Sequence, residues 1–106
     1  MGIFDLFNRA DINSGVQEYM QTENAVLLDV RTDGEYREEH VPGSINLDVN
    51  NINNAPSVIK DKQTPIFVYC YSGSRSARAT SALKAMGYAN VKNIGGISGW
   101  RGKIER

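Results

Sequence analysis

The strongest chemical signal in the sequence surrounds its only cysteine. Cys70 ends an apolar, β-forming run that begins at residue 66, and Gly73, Arg75 and three serines follow within six positions. A helical pattern comes next, so the order predicts that Cys70 lies where a strand gives way to the first turn of a helix. That turn has free N–H donors and a partial positive charge, and Arg75 adds a permanent one. We therefore predict that Cys70 is a nucleophilic thiolate with a pKa below that of an ordinary thiol.

The alternative is that Cys70 is a small hydrophobic residue at the end of a strand, which is the usual role of a free cysteine. The glycine, serines and arginine that follow favour the reactive thiol, because a cysteine that only packs needs no ring of donors. One cysteine and one histidine are too few for a zinc site with nitrogen and sulfur ligands. We therefore expect no metal and no cofactor.

The composition is that of an ordinary globular protein, and we expect one domain over residues 1–106 with residues 1–10 as an N-terminal extension. Twelve basic and twelve acidic side chains cancel, so we expect neither nucleic acid nor a membrane surface as a partner. A single cysteine cannot form an internal disulfide, which fits a reducing compartment.

The N-terminal residues carry apolar side chains, but Asp5 interrupts them, so they do not read as the core of a signal peptide. No apolar run approaches the ~20 residues that a membrane span needs, and we expect a soluble, cytoplasmic protein. The sequence leaves open whether four apolar residues form a helical turn that packs on the domain or an exposed apolar end: Ile3, Phe4, Leu6 and Phe7.

The first half of the chain alternates helix and strand patterns. A capping box starting at Ser14 predicts a helix over about residues 13–21, with Val16, Tyr19 and Met20 on one face. Residues 25–31 form an apolar run typical of a strand that is covered on both sides. A second capping box, at residues 32–35, opens a helix that Pro42 must end by residue 40, and a short strand is expected at residues 45–47.

The second half repeats this alternation after an asparagine-rich stretch, residues 46–54, whose structure the sequence does not predict. One or two helical turns are expected at residues 56–60, and the central strand at residues 66–69. Ala79, Leu83 and Met86 then have helical spacing, and Gly87 is placed to end that helix. A last strand at residues 90–94 precedes a tight turn at Gly95-Gly96 and a terminal helical turn that lays Trp100 on the core.

Strands that alternate with helices predict a parallel α/β sheet with right-handed crossovers. Ligands bind such sheets beyond the carboxyl ends of the strands. Asp29 to Arg31, Cys70, and Gly95-Gly96 each stand at the carboxyl end of a predicted strand. Three separate segments therefore converge on one edge of the sheet, which predicts a functional site there.

From about residue 11 to residue 102, the chain resembles the rhodanese family of sulfurtransferases in its small single-domain form. This resemblance implies a three-layer α/β fold in which a central, mostly parallel sheet of about five short strands has helices on both faces. It rests on five motifs in the right order and spacing: Leu28-Asp29-Val30-Arg31, Glu35-Tyr36 with His40-Val41-Pro42-Gly43-Ser44, Val68-Tyr69-Cys70-Tyr71-Ser72-Gly73-Ser74-Arg75-Ser76, Gly87-Tyr88, and Gly95-Gly96-Ile97-Ser98-Gly99-Trp100.

The resemblance implies an enzyme that carries sulfur as a persulfide on Cys70. The thiolate would take the sulfane sulfur of thiosulfate or a persulfide donor, and a second nucleophile, cyanide or a thiol, would remove it in a two-step covalent cycle. Arg75 would hold an anionic donor, with serine hydroxyls adding further donors. The backbone N–H groups that would cradle the outer sulfur belong to the loop residues Tyr71, Ser72, Gly73, Ser74, Arg75 and Ser76.

The length of the loop distinguishes this function from its nearest rival. Phosphatases and arsenate reductases of similar fold have five residues between the cysteine and the arginine, whereas four separate Cys70 from Arg75. A shorter loop makes a smaller anion site, suited to one sulfur atom and not to a tetrahedral oxyanion. Sulfur transfer is therefore favoured over phosphate hydrolysis.

Several neighbouring residues are given supporting roles. Asp29 is expected to hydrogen-bond the active loop, although capping its own turn is the alternative. Arg31 either adds positive potential or pairs with Asp29 and Glu35. His40 is expected to brace a turn.

The leading function is thus a thiosulfate or persulfide sulfurtransferase. The second is a carrier or docking module that receives sulfur from a partner protein and has little small-molecule turnover. A third, an inactive regulatory domain, conflicts with the retained Cys70. With no second cysteine, the chain cannot resolve its own persulfide as a disulfide, so the acceptor must be another molecule, and a sulfur-acceptor protein is one candidate. The sequence does not identify the donor, the acceptor or the oligomeric state.

Overall fold

The computed structural model describes residues 10–106, so the expectations for Ile3, Phe4, Leu6 and Phe7 lie outside the described residues. Within this range the sheet has four strands: β1 (Val26–Asp29), β2 (Ser44–Asn46), β3 (Ile66–Cys70) and β4 (Val91–Gly96). The helices are α1 (Ile12–Met20), α2 (Asp33–Glu38), α3 (Ala55–Val58) and α4 (Ser74–Ala85). Two 3-10 segments complete the fold, at Val49–Asn54 and Ile97–Gly99.

All the strand pairings are parallel, and the strands lie in the order β2-β1-β3-β4. The predicted parallel α/β architecture is confirmed, with four strands in place of about five. β3 lies in the interior between β1 and β4, and all five of its residues are buried. Burial on both faces explains why this strand is an unbroken apolar run in the sequence.

Two apolar cores lie on opposite faces of the sheet, which makes the fold three-layered. On one face, Leu28 and Val68 pack with Ala79 and Leu83 of α4 and with the 3-10 segment and α3. On the other face, the alternate strand residues pack with α1 and with the chain after β4, forming a cluster that includes Ile12, Val16, Leu27, Phe67, Tyr69, Ile94 and Ile97, with Trp100 packed against it. Alternation of side chains along each strand supplies both cores at once.

The start of α1 differs from the capping box predicted at Ser14. Asp11 is the N-cap, and its carboxylate accepts a hydrogen bond from the backbone N–H of Asn13 at 3.0 Å. Ser14 is itself a donor to that carboxylate, at 3.1 Å. A carboxylate has two acceptor oxygens and suits the positive end of the helix, so Asp11 outcompetes the serine. Ile12, Gly15 and Val16 of α1 are buried, whereas Met20, predicted to share a face with Val16, is 75% exposed.

The other helix boundaries agree better with the sequence. The capping box of α2 is present, with Thr32 and Glu35 bonded reciprocally. α4 ends where Gly87 adopts a left-handed φ of 100°, as predicted. The tight turn predicted at Gly95-Gly96 is wrong, because both residues belong to β4, where they pair with Tyr69 and Cys70 beyond a register shift. Within residues 10–106, no helix combines the length and the apolar character needed to cross a membrane.

Candidate active site

The sulfur of Cys70 lies at the carboxyl end of β3, against the loop that leads into α4. Cys70 has no exposed surface, and it packs within the core cluster that contains Val68 and Ala79. Its sulfur nevertheless receives polar contacts: the backbone N–H of Gly73 donates to Sγ at 3.0 Å, and the hydroxyl of Ser76 lies 3.4 Å away. The thiol is therefore buried on one side and surrounded by donors on the other.

Burial and hydrogen bonding act in opposite directions on the pKa of Cys70. Burial, the largest single influence, raises it because a thiolate is poorly solvated in the interior. Hydrogen bonds from the Ser76 hydroxyl and from the backbone N–H groups of Ser76, Gly73 and Ser72 lower it. The combined effect of these hydrogen bonds is larger than that of burial, so the pKa of Cys70 lies below the ordinary value of a thiol. This is the direction that the sequence predicts.

Glycines allow the loop to approach both the sulfur and β4. Gly73, the N-cap of α4, has a φ of 106°, a left-handed conformation that side chains disfavour and that aims its N–H at Sγ. Gly96 has an ordinary extended backbone, but a Cβ there would lie 2.0 Å from the carbonyl oxygen of Tyr71. The absence of a side chain at residue 96 thus lets β4 lie directly beneath the active loop.

Asn93 holds the loop against β4, a role that was not predicted from the sequence. Its side-chain oxygen accepts hydrogen bonds from the hydroxyl of Ser76 at 2.7 Å and from the N–H of Gly95 at 3.0 Å. Its amide nitrogen donates to the carbonyl of Gly73 at 3.2 Å. Asn93 therefore positions the two residues that contact the sulfur. Its only signal in the sequence is an amide within a strand, two residues before Gly95.

The resemblance implies that the guanidinium of Arg75 is free to hold an anionic donor, whereas in the structure it is paired. It forms a two-pronged ion pair with Glu35 of α2, with nitrogen–oxygen distances of 2.8 and 3.1 Å. Hydrogen bonds to Glu35 are the main influence that raises the pKa of Arg75, and Coulombic attraction to Glu35 and to the Cys70 thiolate adds to it. The positive charge of Arg75 is thus close enough to attract the Cys70 thiolate, while two of its N–H groups donate hydrogen bonds to Glu35.

Asp29 and Arg31 form a second ion pair beside the site. Both oxygens of Asp29 accept hydrogen bonds from the Arg31 side chain at 2.8 to 3.1 Å, and Asp29 also accepts from the N–H of Arg31. Arg31 is 4% exposed and Asp29 is fully buried. Among the described residues, both oxygens of Asp29 are bonded to Arg31, so the expected hydrogen bond to the active loop is wrong. The contact with the backbone N–H of Arg31 is the alternative expected for Asp29, the capping of its own turn. Of the two interpretations of Arg31, the structure shows pairing with Asp29, and Nη2 of Arg31 also donates to the carbonyl of Glu39.

A cleft of about 560 Å³ opens next to the active loop. Tyr71, the residue after the cysteine, lines it and is 55% exposed. The other lining residues are all of charged types: Arg31, Glu35, Glu38, Glu39 and Arg106. His40 lies near this region as a brace, stacked on Tyr36 with ring centroids 3.8 Å apart, which agrees with the turn-bracing role expected for it.

The structure brings most of the predicted site together. Cys70 lies at the carboxyl edge of the sheet with residues 71–76, which form the active loop and the first turn of α4. The Asp29–Arg31 pair lies at the end of the neighbouring strand β1. Among residues 10–106, no cluster of three or more histidine, cysteine, aspartate or glutamate side chains has a metal-binding arrangement. The chemistry available is that of a thiolate with backbone donors around it.

Comparison with known proteins points to one family. Residues 13–103 match the family model described as a rhodanese-like domain. The thiosulfate sulfurtransferase PspE of Escherichia coli is 37% identical over 71 residues, which cover 66% of this chain and 68% of that protein. A sulfurtransferase of Allochromatium vinosum is 34% identical over 96 residues, which cover 90% of this chain and 89% of the relative. A solved structure titled "rhodanese with anions from E. coli" is 31% identical, with a TM-score of 0.72, over 77% of this chain and 98% of that one.

Proposed function

Because the chain belongs to the rhodanese-like family of sulfurtransferases, we propose that it transfers sulfane sulfur through a persulfide on Cys70. The observation that carries this proposal is the N–H of Gly73 at 3.0 Å from Sγ, at a thiol whose pKa is lowered. A thiolate is the nucleophilic form of cysteine, and donors aimed at it suit the negative charge that a persulfide bears.

The reaction has two displacement steps at sulfur. In the first, the Cys70 thiolate attacks the outer sulfur of the donor, the donor's sulfur–sulfur bond breaks, and the leaving group departs with the electron pair. Thiosulfate releases sulfite in this way, and a persulfide R–S–SH releases the thiolate R–S⁻. In the second step, cyanide or an acceptor thiolate attacks the outer sulfur, and Cys70 leaves as the thiolate.

The residues around the sulfur have distinct roles in this scheme. The backbone N–H groups of Ser72, Gly73 and Ser76 and the Ser76 hydroxyl stabilise the thiolate before attack and when it is released. Tyr71, Ser74 and Arg75 are the other residues of this segment, beside which the donor would bind. Asp29 and Arg31 support the site by fixing the end of β1.

A direct test follows the mass of the protein. After incubation with thiosulfate or an alkyl persulfide, the intact chain should gain one sulfur atom, located on the Cys70 peptide, and should lose it on addition of cyanide. Cys70→Ser should gain none, since an alcohol is not ionised at neutral pH. Retention of full transfer by Cys70→Ser would refute the assignment of the nucleophile.

A carrier module for a partner protein is the second candidate, and it is favoured by a Bacillus subtilis relative named "Putative sulfur carrier protein YrkF", which is 30% identical over 84% of this chain and 48% of that protein. Steady turnover of thiosulfate and cyanide by the isolated chain distinguishes the enzyme from such a carrier. A carrier would be loaded once and would release its sulfur only when a partner protein is added.

A further inference from the structure

The guanidinium of Arg75 is already paired in the absence of a sulfur donor. Its guanidinium gives two hydrogen bonds to Glu35, across 40 residues of sequence, at 2.8 and 3.1 Å. A paired guanidinium and carboxylate have no net charge. The N–H groups of Nη1 and Nη2, which could otherwise bind an oxyanion, donate to Glu35. An anionic donor that approaches Arg75 therefore meets a neutral pair, in which two of the five guanidinium N–H groups already donate to Glu35.

Glu35 is held firmly in this pairing position. One of its oxygens also accepts hydrogen bonds from the backbone N–H and the hydroxyl of Thr32, each at 3.0 Å, as part of the capping box of α2. These contacts and the pairing with Arg75 lower the pKa of Glu35 to about 2, with the Arg75 hydrogen bond the largest influence. Glu35 is therefore ionised at neutral pH and oriented by its own helix.

The cleft beside the loop adds no free positive potential. Arg31 lines it but is neutralised by Asp29. The other charged lining residues are Glu38, Glu39 and Arg106. These two carboxylates and one guanidinium give the cleft a net charge of −1. Half-exposed Tyr71 offers the cleft an aromatic surface, which an organic group can contact and an inorganic anion cannot use.

We propose that Glu35 selects the sulfur donor: by holding and neutralising Arg75, it makes the site favour a persulfide whose carrier has no net negative charge over the thiosulfate dianion. This inference rests on the proposed sulfurtransferase function. In the favoured first step, the Cys70 thiolate attacks the outer sulfur of R–S–SH, R–S⁻ leaves with the bonding electrons, and Cys70 holds –S–SH. Glu35 is a specificity-determining residue in this scheme, and it takes no part in the bond changes.

The test compares two donors in the loading step, with the rate constant for the appearance of the added sulfur followed by intact-protein mass at low donor concentration. The donors are thiosulfate and cysteamine persulfide, whose ammonium group balances its sulfur charge. Glu35→Gln keeps the size and an acceptor oxygen for Thr32 but removes the charge. We expect it to raise the thiosulfate-to-cysteamine-persulfide ratio of rate constants by about tenfold, as one released charge-assisted contact would.

Two further variants show whether the effect passes through Arg75. The double variant Glu35→Gln/Arg75→Gln should return the ratio to within about twofold of the wild type, because the released guanidinium is then gone. Glu38→Gln removes the same charge from the same cleft without touching Arg75 and should raise the ratio by less than about twofold, since solvent screens an exposed charge. Equal effects of Glu35→Gln and Glu38→Gln, or no effect of either, would overturn the inference while sulfur transfer stands.

A measurement on the wild type alone gives an independent answer if Glu35→Gln does not fold. Cysteamine persulfide and 3-mercaptopropionate persulfide have carriers of the same length and opposite charge. The wild type should load about tenfold faster from the cationic carrier, and a preference for the anionic one would contradict the inference. Absence of loading from every donor would overturn the proposed function, and this inference with it.

Discussion

At the scale of single residues, the balance of burial and donors at Cys70 determines its reactivity. The thiol lies within an apolar cluster, which alone would raise its pKa, yet Gly73 and Ser76 bring polar hydrogens to its sulfur. The Ser76 hydroxyl has one proton and several acceptors within reach, of which Asn93 is the nearest at 2.7 Å. An ionised sulfur competes for that proton more strongly than a neutral one does.

Removal of the Ser76 hydroxyl should therefore make the thiol less acidic. In Ser76→Ala, we expect the midpoint of thiolate formation to move upward, because a hydrogen bond that favours the charged form is lost while burial remains. The midpoint is measured from the ultraviolet absorbance of the thiolate as a function of pH. Ser74→Ala removes a hydroxyl from the same loop and should leave the midpoint in place. Equal shifts in the two variants would contradict the role given to Ser76.

The sequence predicts the nucleophile and its backbone cradle but not the partner of Arg75. Cys70, Gly73 and Ser76 lie within seven residues, so the geometry of one turn relates them. Glu35 lies 40 residues before Arg75, and the capping-box pattern accounts for it without any further contact. Only the folded chain shows that this glutamate serves both as a helix cap and as the counter-ion of the active loop.

At the scale of elements, the active loop depends on how closely it lies against β4. Asn93, Gly95 and Gly96 provide this contact through two side-chain hydrogen bonds and through the space left by a missing side chain. The sequence predicts a strand followed by a turn here, because a glycine pair usually breaks a strand. In the structure, a register shift between Val68 and Tyr69 lets β4 continue beneath the loop, and local sequence patterns contain no information on such pairing.

A methyl group at residue 96 should push the loop off the strand. The Cβ of Gly96→Ala would meet the Tyr71 carbonyl at 2.0 Å and the Cα of Ser72 at 2.6 Å, both backbone atoms. We expect a loss of about 2 to 3 kcal/mol in the free energy of unfolding, measured with urea, and slower loading of Cys70. Gly99→Ala, whose Cβ would meet nothing within 4 Å, should change the stability by less than about 0.5 kcal/mol. Similar losses in both variants would show that the clash is not the cause.

At the scale of the whole molecule, the sheet and its two cores follow from patterns that a sequence displays plainly. β3 is apolar on both faces, and Ala79 and Leu83 on α4 are fully buried at the predicted spacing. The start of α1 was not predictable in the same way, because it depends on competition between Asp11 and Ser14 for one helix end. The periodicity of apolar residues therefore predicts the layers of the fold, while the exact ends of helices and strands depend on individual contacts.

The ion pair between Glu35 and Arg75 joins α2 to the active loop, and it should make global stability depend on pH. The pKa of Glu35 is about 2 in the fold against 4.5 ordinarily, so the folded state favours the ionised carboxylate. Its contribution is therefore complete above about pH 4.5 and is lost as the pH falls towards 2. We expect Glu35→Gln to lower the free energy of unfolding by about 1 kcal/mol at pH 7, allowing for solvent screening.

Urea unfolding of the wild type and Glu35→Gln at several pH values checks this prediction. The difference in free energy between the two proteins should be constant from pH 7 to about pH 5 and should shrink by pH 3. A difference that stays the same at pH 3, or one that grows on acidification, would mean that the carboxylate is not stabilised in the fold.

The complete coverage of Cys70 also bears on how such a thiol survives. An ionised cysteine is the form that peroxides attack most readily, and attack beyond the sulfenic acid stage is irreversible. With no surface of Cys70 open to solvent, we expect an oxidant to reach the sulfur only when the residues around it open locally. The enclosure should therefore protect this thiol against oxidative damage, and an opening that admits a sulfur donor should admit an oxidant as well.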